Sequence, residues 1–154
     1  MRKLLYYIIM SICLISCGGD DDNEPIITES GFNADITKVL DVIDDHTWEN
    51  IDLGQTTTIS FLAFRNPEQI ASALNGVPMT FHGWMKRVYS GTLSDETEFY
   101  FYIDTQRKVI KGYGVGSDIK TYALNASCEY YYEIVDENTI KLKDYYTYNI
   151  YNKK

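Results

Sequence analysis

Only three of the 154 residues are cysteine, three are proline, two are histidine and two are tryptophan. The cysteines, Cys13, Cys17 and Cys128, are too few and too scattered for a disulfide framework. His46 and His82 have no second ligand at metal-binding spacing, so no metal centre is expected. Basic residues are also scarce: 14 Lys and Arg face 22 Asp and Glu, a formal net charge of −8. They form no basic stripe, which excludes nucleic acid as a partner and charge-driven adhesion to anionic headgroups. Gly-x-Ser-x-Gly is absent. Gly112, Gly114 and Gly116 are spaced like part of a phosphate loop, but no helix pattern follows to present its N-terminus. A glycine-rich bend in a barrel strand is the expected reading there. Glu129 and Glu133, four residues apart on one strand face, would stand about 13 Å apart. Glycosidase carboxylates stand roughly 5–9.5 Å apart. The expectation is a non-enzymatic protein that uses no cofactor.

What is present begins at the N-terminus. Arg2 and Lys3 precede Leu4–Ile15, twelve mostly apolar residues. A membrane-spanning helix needs about 20; the length and flanks fit a secretory signal instead. The sequence Leu14-Ile15-Ser16-Cys17 then offers an aliphatic residue, a tolerant position, a small residue and cysteine. It resembles the lipobox of bacterial lipoproteins. Cys13 fits less well because Ile12 is too large for the small-residue position. The resemblance implies cleavage between Ser16 and Cys17, loss of residues 1–16, and a diacylglycerol thioether on Cys17. One acyl chain binds a bilayer only marginally, at about 0.8 kcal/mol per buried CH₂, whereas two or three hold firmly.

Gly18 to Pro25 is small, acidic and unable to bury apolar area, which predicts a solvated tether over 17–30. Asp20, Asp21 and Asp22, closely following the cysteine, resemble the export signal of surface lipoproteins in the Bacteroidota. That implies an outer-membrane anchor with the domain at the cell surface; a periplasm-facing domain on a plain acidic linker is the alternative. Removing residues 1–16 leaves 12 basic against 22 acidic residues, a net of −10. Five of these acids fall between Asp20 and Glu29, leaving the domain near −5. Residues 31–154 suit one domain, with Cys128 as a buried free thiol.

Ile36, Val39, Leu40 and Ile43 recur with helical spacing, predicting an amphipathic helix over 35–45, capped by Asn33 or Asp35 and ending at His46. A second helix is predicted over 67–75: Asn66 as cap, Pro67 in the first turn, Ile70, Ala73 and Leu74 as apolar face, Asn75-Gly76 as stop. The rest reads as strand: Thr57–Phe64, Met79–Leu93 bent near Gly83 or Lys86-Arg87, Glu98–Asp104, Arg107–Val115, Ile119–Leu124, Cys128–Val135, Thr139–Asp144 and Tyr146–Tyr151. One hairpin has a readable register. Placing Ile134 opposite Ile140 requires a loop of odd length, Asp136-Glu137-Asn138, with Asn138 left-handed. The same register pairs Tyr132 with Leu142 and Glu133 with Lys141.

These strands predict a mainly β fold, an antiparallel meander closing into a small barrel. A helix, then Trp48, then hairpins resembles the lipocalin-like (calycin) domain lipoproteins, although His46-Thr47-Trp48 replaces their usual Gly-x-Trp. An α+β open sheet with both helices on one face is the alternative. Tyrosine is abundant: of 14 in the chain, eleven lie between Tyr100 and Tyr151. Such residues bury a ring and keep a polar tip, so Trp84, Tyr100, Tyr102, Tyr130 and Tyr132 are the candidate ligand-binding residues. Two readings follow. One is a non-catalytic binding module for a small amphipathic molecule or a glycan; the other is a subunit that docks another envelope protein.

Overall fold

Helix α1 (Ala34–Ile43) starts at Asn33, whose Oδ1 accepts the Ile36 N–H at 2.8 Å. That satisfies one of the orphan donors of the first turn. The side chains of Ile36, Val39, Leu40 and Ile43 are all buried, as their spacing predicts, each contributing roughly 1.5–3 kcal/mol. The helix stops at Ile43, because Asp44 is extended and Asp45 turns the chain with a φ of 55°. His46 therefore opens the first strand instead of ending the helix.

The computed structural model describes residues 33–91, 94–118, 120–144 and 147–154. Ser16 and Cys17 of the lipobox, the acidic run Asp20, Asp21 and Asp22, and residues Thr92, Leu93, Ile119, Tyr145 and Tyr146 lie outside them. After α1 come β1 (His46–Asp52), β2 (Gln55–Ser72), β3 (Pro78–Ser90), β4 (Asp95–Asp104) and β5 (Val109–Gly114). The short β6 (Thr121–Tyr122), β7 (Cys128–Asp136), β8 (Thr139–Lys143) and β9 (Tyr148–Lys153) follow. Among the described residues of the expected 119–124 strand only Thr121–Tyr122 is regular, and the expected Arg107–Val115 strand starts later because Arg107 and Lys108 belong to the preceding turn.

Eight strands close into an antiparallel barrel. The ring is sealed at β1, which pairs with β2 from His46↔Phe61 to Asp52↔Gln55 and with β9 through Trp48↔Lys153 and Glu49↔Asn152. Closure removes the exposed edges of an open sheet, so the lipocalin-like barrel holds and the open-sheet alternative falls. Strand alternation fills the lumen. Phe99, Phe101 and Ile103 from β4 join Trp48, Ile59, Phe61, Met85, Ile140 and Leu142, none more than 2% exposed. The buried face of α1 packs into the same cluster. The β7–β8 register is as predicted: Tyr132↔Leu142, Glu133↔Lys141 and Ile134↔Ile140, with Lys141 Nζ 2.9 Å from Glu133 Oε1. The odd residue is absorbed differently. Asp136 pairs with Thr139, the register shifts between Ile134 and Asp136, and Asn138 is not left-handed.

The expected helix over 67–75 is absent. Glu68, Gln69, Ile70 and Ala71 pair with Phe81, Thr80, Met79 and Pro78 as the far end of the β2–β3 hairpin. An isolated nine-residue helix is marginal in water, whereas a strand here finds a ready partner in 78–81. Burial alternates accordingly, with Ile70 and Ser72 buried and Ala71 between them exposed. Asn75-Gly76 does punctuate the chain, but as a hairpin turn: the Asn75 N–H donates to Ser72 Oγ, Asn75 Oδ1 accepts the Val77 N–H, and Gly76 has a φ of 65°. Pro67 sits in the irregular stretch between Ala63 and Glu68, where its missing N–H breaks no ladder bond.

Candidate functional site

The β2–β3 hairpin does not continue straight out of the barrel. Phe81 precedes Trp84 by three residues, and Trp84 is two ladder steps from Tyr113 through Tyr100. In a flat sheet Phe81 and Tyr113 would be displaced by about 10 Å along the strands and about 10 Å across them. Their ring centroids are instead 5.3 Å apart. The hairpin folds over the outer wall at Gly83, near the first of the two bends expected from sequence. Gly83 is required there: a Cβ would fall 2.6 Å from Phe101 Cε1 and 2.8 Å from Ala63 Cα. The fold-over builds a second core outside the barrel, from Ile70, Phe81, Tyr100, Tyr113 and Tyr122. Phe81 stacks on Tyr100 at 5.2 Å and meets Tyr122 edge-on at 5.0 Å. The short parallel β6 fastens the ribbon through Ala71↔Thr121 and Ser72↔Tyr122, and the Tyr122 hydroxyl donates to Val77 O at 2.9 Å.

Between this ribbon and the barrel wall runs a groove of about 500 Å³, lined by Phe64, Glu68, Gln69, Ile70, Ala71, Trp84, Tyr100 and Lys120. Its aromatic side is fixed by ring contacts. Trp84 lies 4.3 Å from Tyr100, and Phe64 meets Trp84 edge-on at 6.2 Å. Glu68, Gln69 and Lys120 add a carboxylate, an amide and an ammonium group to the lining. Burial, followed by Asp118 and Glu68, pushes the Tyr100 phenol up, so it remains a neutral hydroxyl. Apolar rings beside a few convergent polar groups are the usual make-up of a small-molecule site.

The five tyrosine and tryptophan candidates divide between two places. Trp84 and Tyr100 line the groove. Tyr102 is on the same outer wall, stacked on the buried His82 at 5.2 Å. Tyr130 and Tyr132 point the other way and belong to the lumen cluster. One small ligand cannot touch both sets. The lumen is occupied by its own side chains, including Arg87, which donates to the Tyr130 hydroxyl at 3.0 Å and lies over the Phe99 ring at 5.2 Å. Glu129 and Glu133 face outward, each beside a lysine: Lys111 at 3.4 Å and Lys141 at 2.9 Å. Gly112 is a close-approach glycine, since a Cβ would fall 2.6 Å from Cys128 Sγ. Among the described residues no cluster of His, Cys, Asp and Glu could hold a metal ion.

Phe64, Glu68, Gln69 and Lys120 escaped the sequence reading as site residues. Glu68 and Gln69 look like the acidic first turn of a helix. Only the pairing of 68–71 with 78–81 carries them to the groove. No family model, curated protein or solved structure matches the chain.

Proposed function

We propose that this chain is an exported lipoprotein, held in the outer membrane by lipid on Cys17 with the barrel presented at the cell surface. We further propose that the barrel is a non-catalytic binding module for a small amphipathic molecule or a glycan. The lipobox and the acidic run after it support the address. The carrying observation for binding is the outer groove, whose lining combines Phe64, Trp84 and Tyr100 with Glu68, Gln69 and Lys120. Because the lumen is packed, the ligand is taken on the barrel's outside.

Two measurements test the reading separately. Mass analysis of the native product should show a lipid-modified Cys17 as first residue; an unmodified sulfur there, or another start, removes the anchor. Native mass spectrometry of the processed chain should show a co-purifying small molecule that Trp84→Ala loses.

A docking role draws on a different surface. Ile51 and Leu53 at the β1–β2 tip are 69% and 99% exposed, and Tyr148 and Ile150 on β9 are about half exposed. Exposed apolar patches of this kind mark interaction sites. A stoichiometric protein partner in the same spectra, lost on mutating Leu53 and not Trp84, would favour docking over ligand binding.

A further inference from the structure

The outer wall beside the groove carries two parallel rows of side chains that run across the strands. One is polar: Thr47, Ser60, Lys86 and Glu98 are successive ladder partners on β1, β2, β3 and β4. The other is apolar: Leu62 pairs with Trp84, and Trp84 with Tyr100. Both point away from the lumen, since the residues between them, Phe61, Met85 and Phe99, are core. The rows lie two residues apart along each strand, about 7 Å. Two further depressions, of about 290 and 280 Å³, open along this wall. Both are lined by Leu62, Trp84 and Lys86, so all three hollows meet at Trp84. Leu62 is 56% exposed and available to a ligand.

The rows constrain what fits. Lys86 already has Glu96 Oε1 at 2.6 Å, and Thr47 Oγ1 and Ser60 Oγ share a hydrogen bond of 2.8 Å. The polar row, repeated once per strand at about 4.8 Å, therefore offers neutral hydroxyls on β1 and β2 and the Lys86–Glu96 pair beside the Glu98 carboxylate on β3 and β4, which disfavours an anionic ligand. A matching ligand has an apolar underside and an edge of neutral donors and acceptors at that repeat. An extended peptide laid across the strands presents equivalent side chains only about every 7 Å, out of step with the row. An acyl chain has no repeating polar edge. An extended, β-linked chain of pyranose rings has both properties: CH faces for Leu62 and Trp84, and hydroxyls at close to one ring per strand.

We propose that the outer wall of β1–β4 is an extended binding site for a neutral β-1,4-linked oligosaccharide that lies across the strands, with one sugar face on Leu62 and Trp84. This rests on the groove-binding reading and specifies its ligand.

The test is calorimetric titration of the processed chain with cello-, manno- and chito-oligosaccharides of one to six units, and with the curved maltohexaose as contrast. At least one β-linked series should bind, tightening about tenfold between the dimer and the tetramer, one ring per strand, with little change beyond. Leu62→Ala and Ser60→Ala, both on the outer wall, should weaken the hexamer and leave the thermal midpoint nearly unchanged. Equal affinity for monomer and hexamer, preference for maltohexaose, or no binding of any hexamer overturns the proposal. An apolar dye such as anilinonaphthalene sulfonate separates the two ideas. Dye binding that Trp84→Ala abolishes, with no sugar bound, leaves an amphiphile groove and removes the glycan site. Absence of both removes the groove reading as well.

Discussion

His82 Nδ1 accepts the main-chain N–H of Ile103 at 2.9 Å, joining the bend of the folded-back ribbon to β4 where the regular β3–β4 ladder stops at Gly83↔Phe101. His82 is 4% exposed, its ring lies against Tyr102, and burial lowers its pKa to about 4. A ring that accepts at Nδ1 must lose that bond to become protonated. The unfolded chain takes up the proton near pH 6.5 and the folded chain only near 4. This contribution is thus intact above 6.5 and is lost as pH falls through that window. The expected loss is about 2 kcal/mol by pH 5. His82→Asn keeps an acceptor without a titrating ring, so urea unfolding at pH 7.5 and 5 should show a smaller difference for the variant. Identical differences for both proteins would refute the assignment.

Gly83 and Gly112 both sit where a side chain has no room, but their neighbours differ in stiffness. At Gly83 the nearest atoms include the Ala63 Cα of the paired strand; at Gly112 they are Cys128 Sγ and Met85 Cε. Backbone cannot step aside, whereas a methionine end can change rotamer. Gly83→Ala should cost about 1–3 kcal/mol or more, the usual range for overpacking. Gly112→Ala should cost less. Denaturant midpoints in the reverse order would show that the bend at Gly83 is not sterically enforced.

Much of this architecture is legible residue by residue. Helical spacing from Ile36 to Ile43 and strict alternation from Phe99 to Ile103 each match a single period, and the predicted inward residues of both are buried, although the ribbon buries Tyr100 on the outer face of β4 as well. The register of β7 and β8 is readable because Ile134 and Ile140 must share a face and Glu133 then meets Lys141. The segment from Asn66 to Gly76 defeats the same logic. Its cap, proline and glycine are local signals common to helices and irregular turns, and a distant partner, Pro78–Phe81, decides between them. The site shares that difficulty. Trp84 and Tyr100 stand out as aromatics, but the ribbon that turns them into a groove is a long-range event with no local signature.

Leu53 occupies the left-handed region with a φ of 47°, beside Gly54 at 80°, in the two-residue turn between β1 and β2. Positive φ at both central positions is the turn that favours Asn-Gly, and leucine pays a steric penalty there. At 99% exposure its side chain gains nothing from burial. Leu53→Asn should raise stability, by about 0.5–1 kcal/mol, read as a higher urea midpoint with unchanged slope. A lower midpoint would mean that the exposed leucine is held by a contact worth more than the strain.

Cys128 faces the lumen at 7% exposure, and burial pushes its thiol up to about 11. Both facts oppose alkylation, since the thiolate is the reactive form and no reagent reaches it in the closed barrel. Unfolding restores an ordinary thiol near 8.5. Iodoacetamide at pH 8 should therefore leave Cys128 unlabelled in native protein and label it over the same urea range in which tyrosine fluorescence reports unfolding. Peptide mass mapping assigns the label to this residue. Labelling well below that range would mean that the wall between β5 and β7 opens on its own, because Cys128 pairs with Gly112 at the end of that ladder. Opening there before global unfolding would show the β5–β7 seam to be the weakest of the ring.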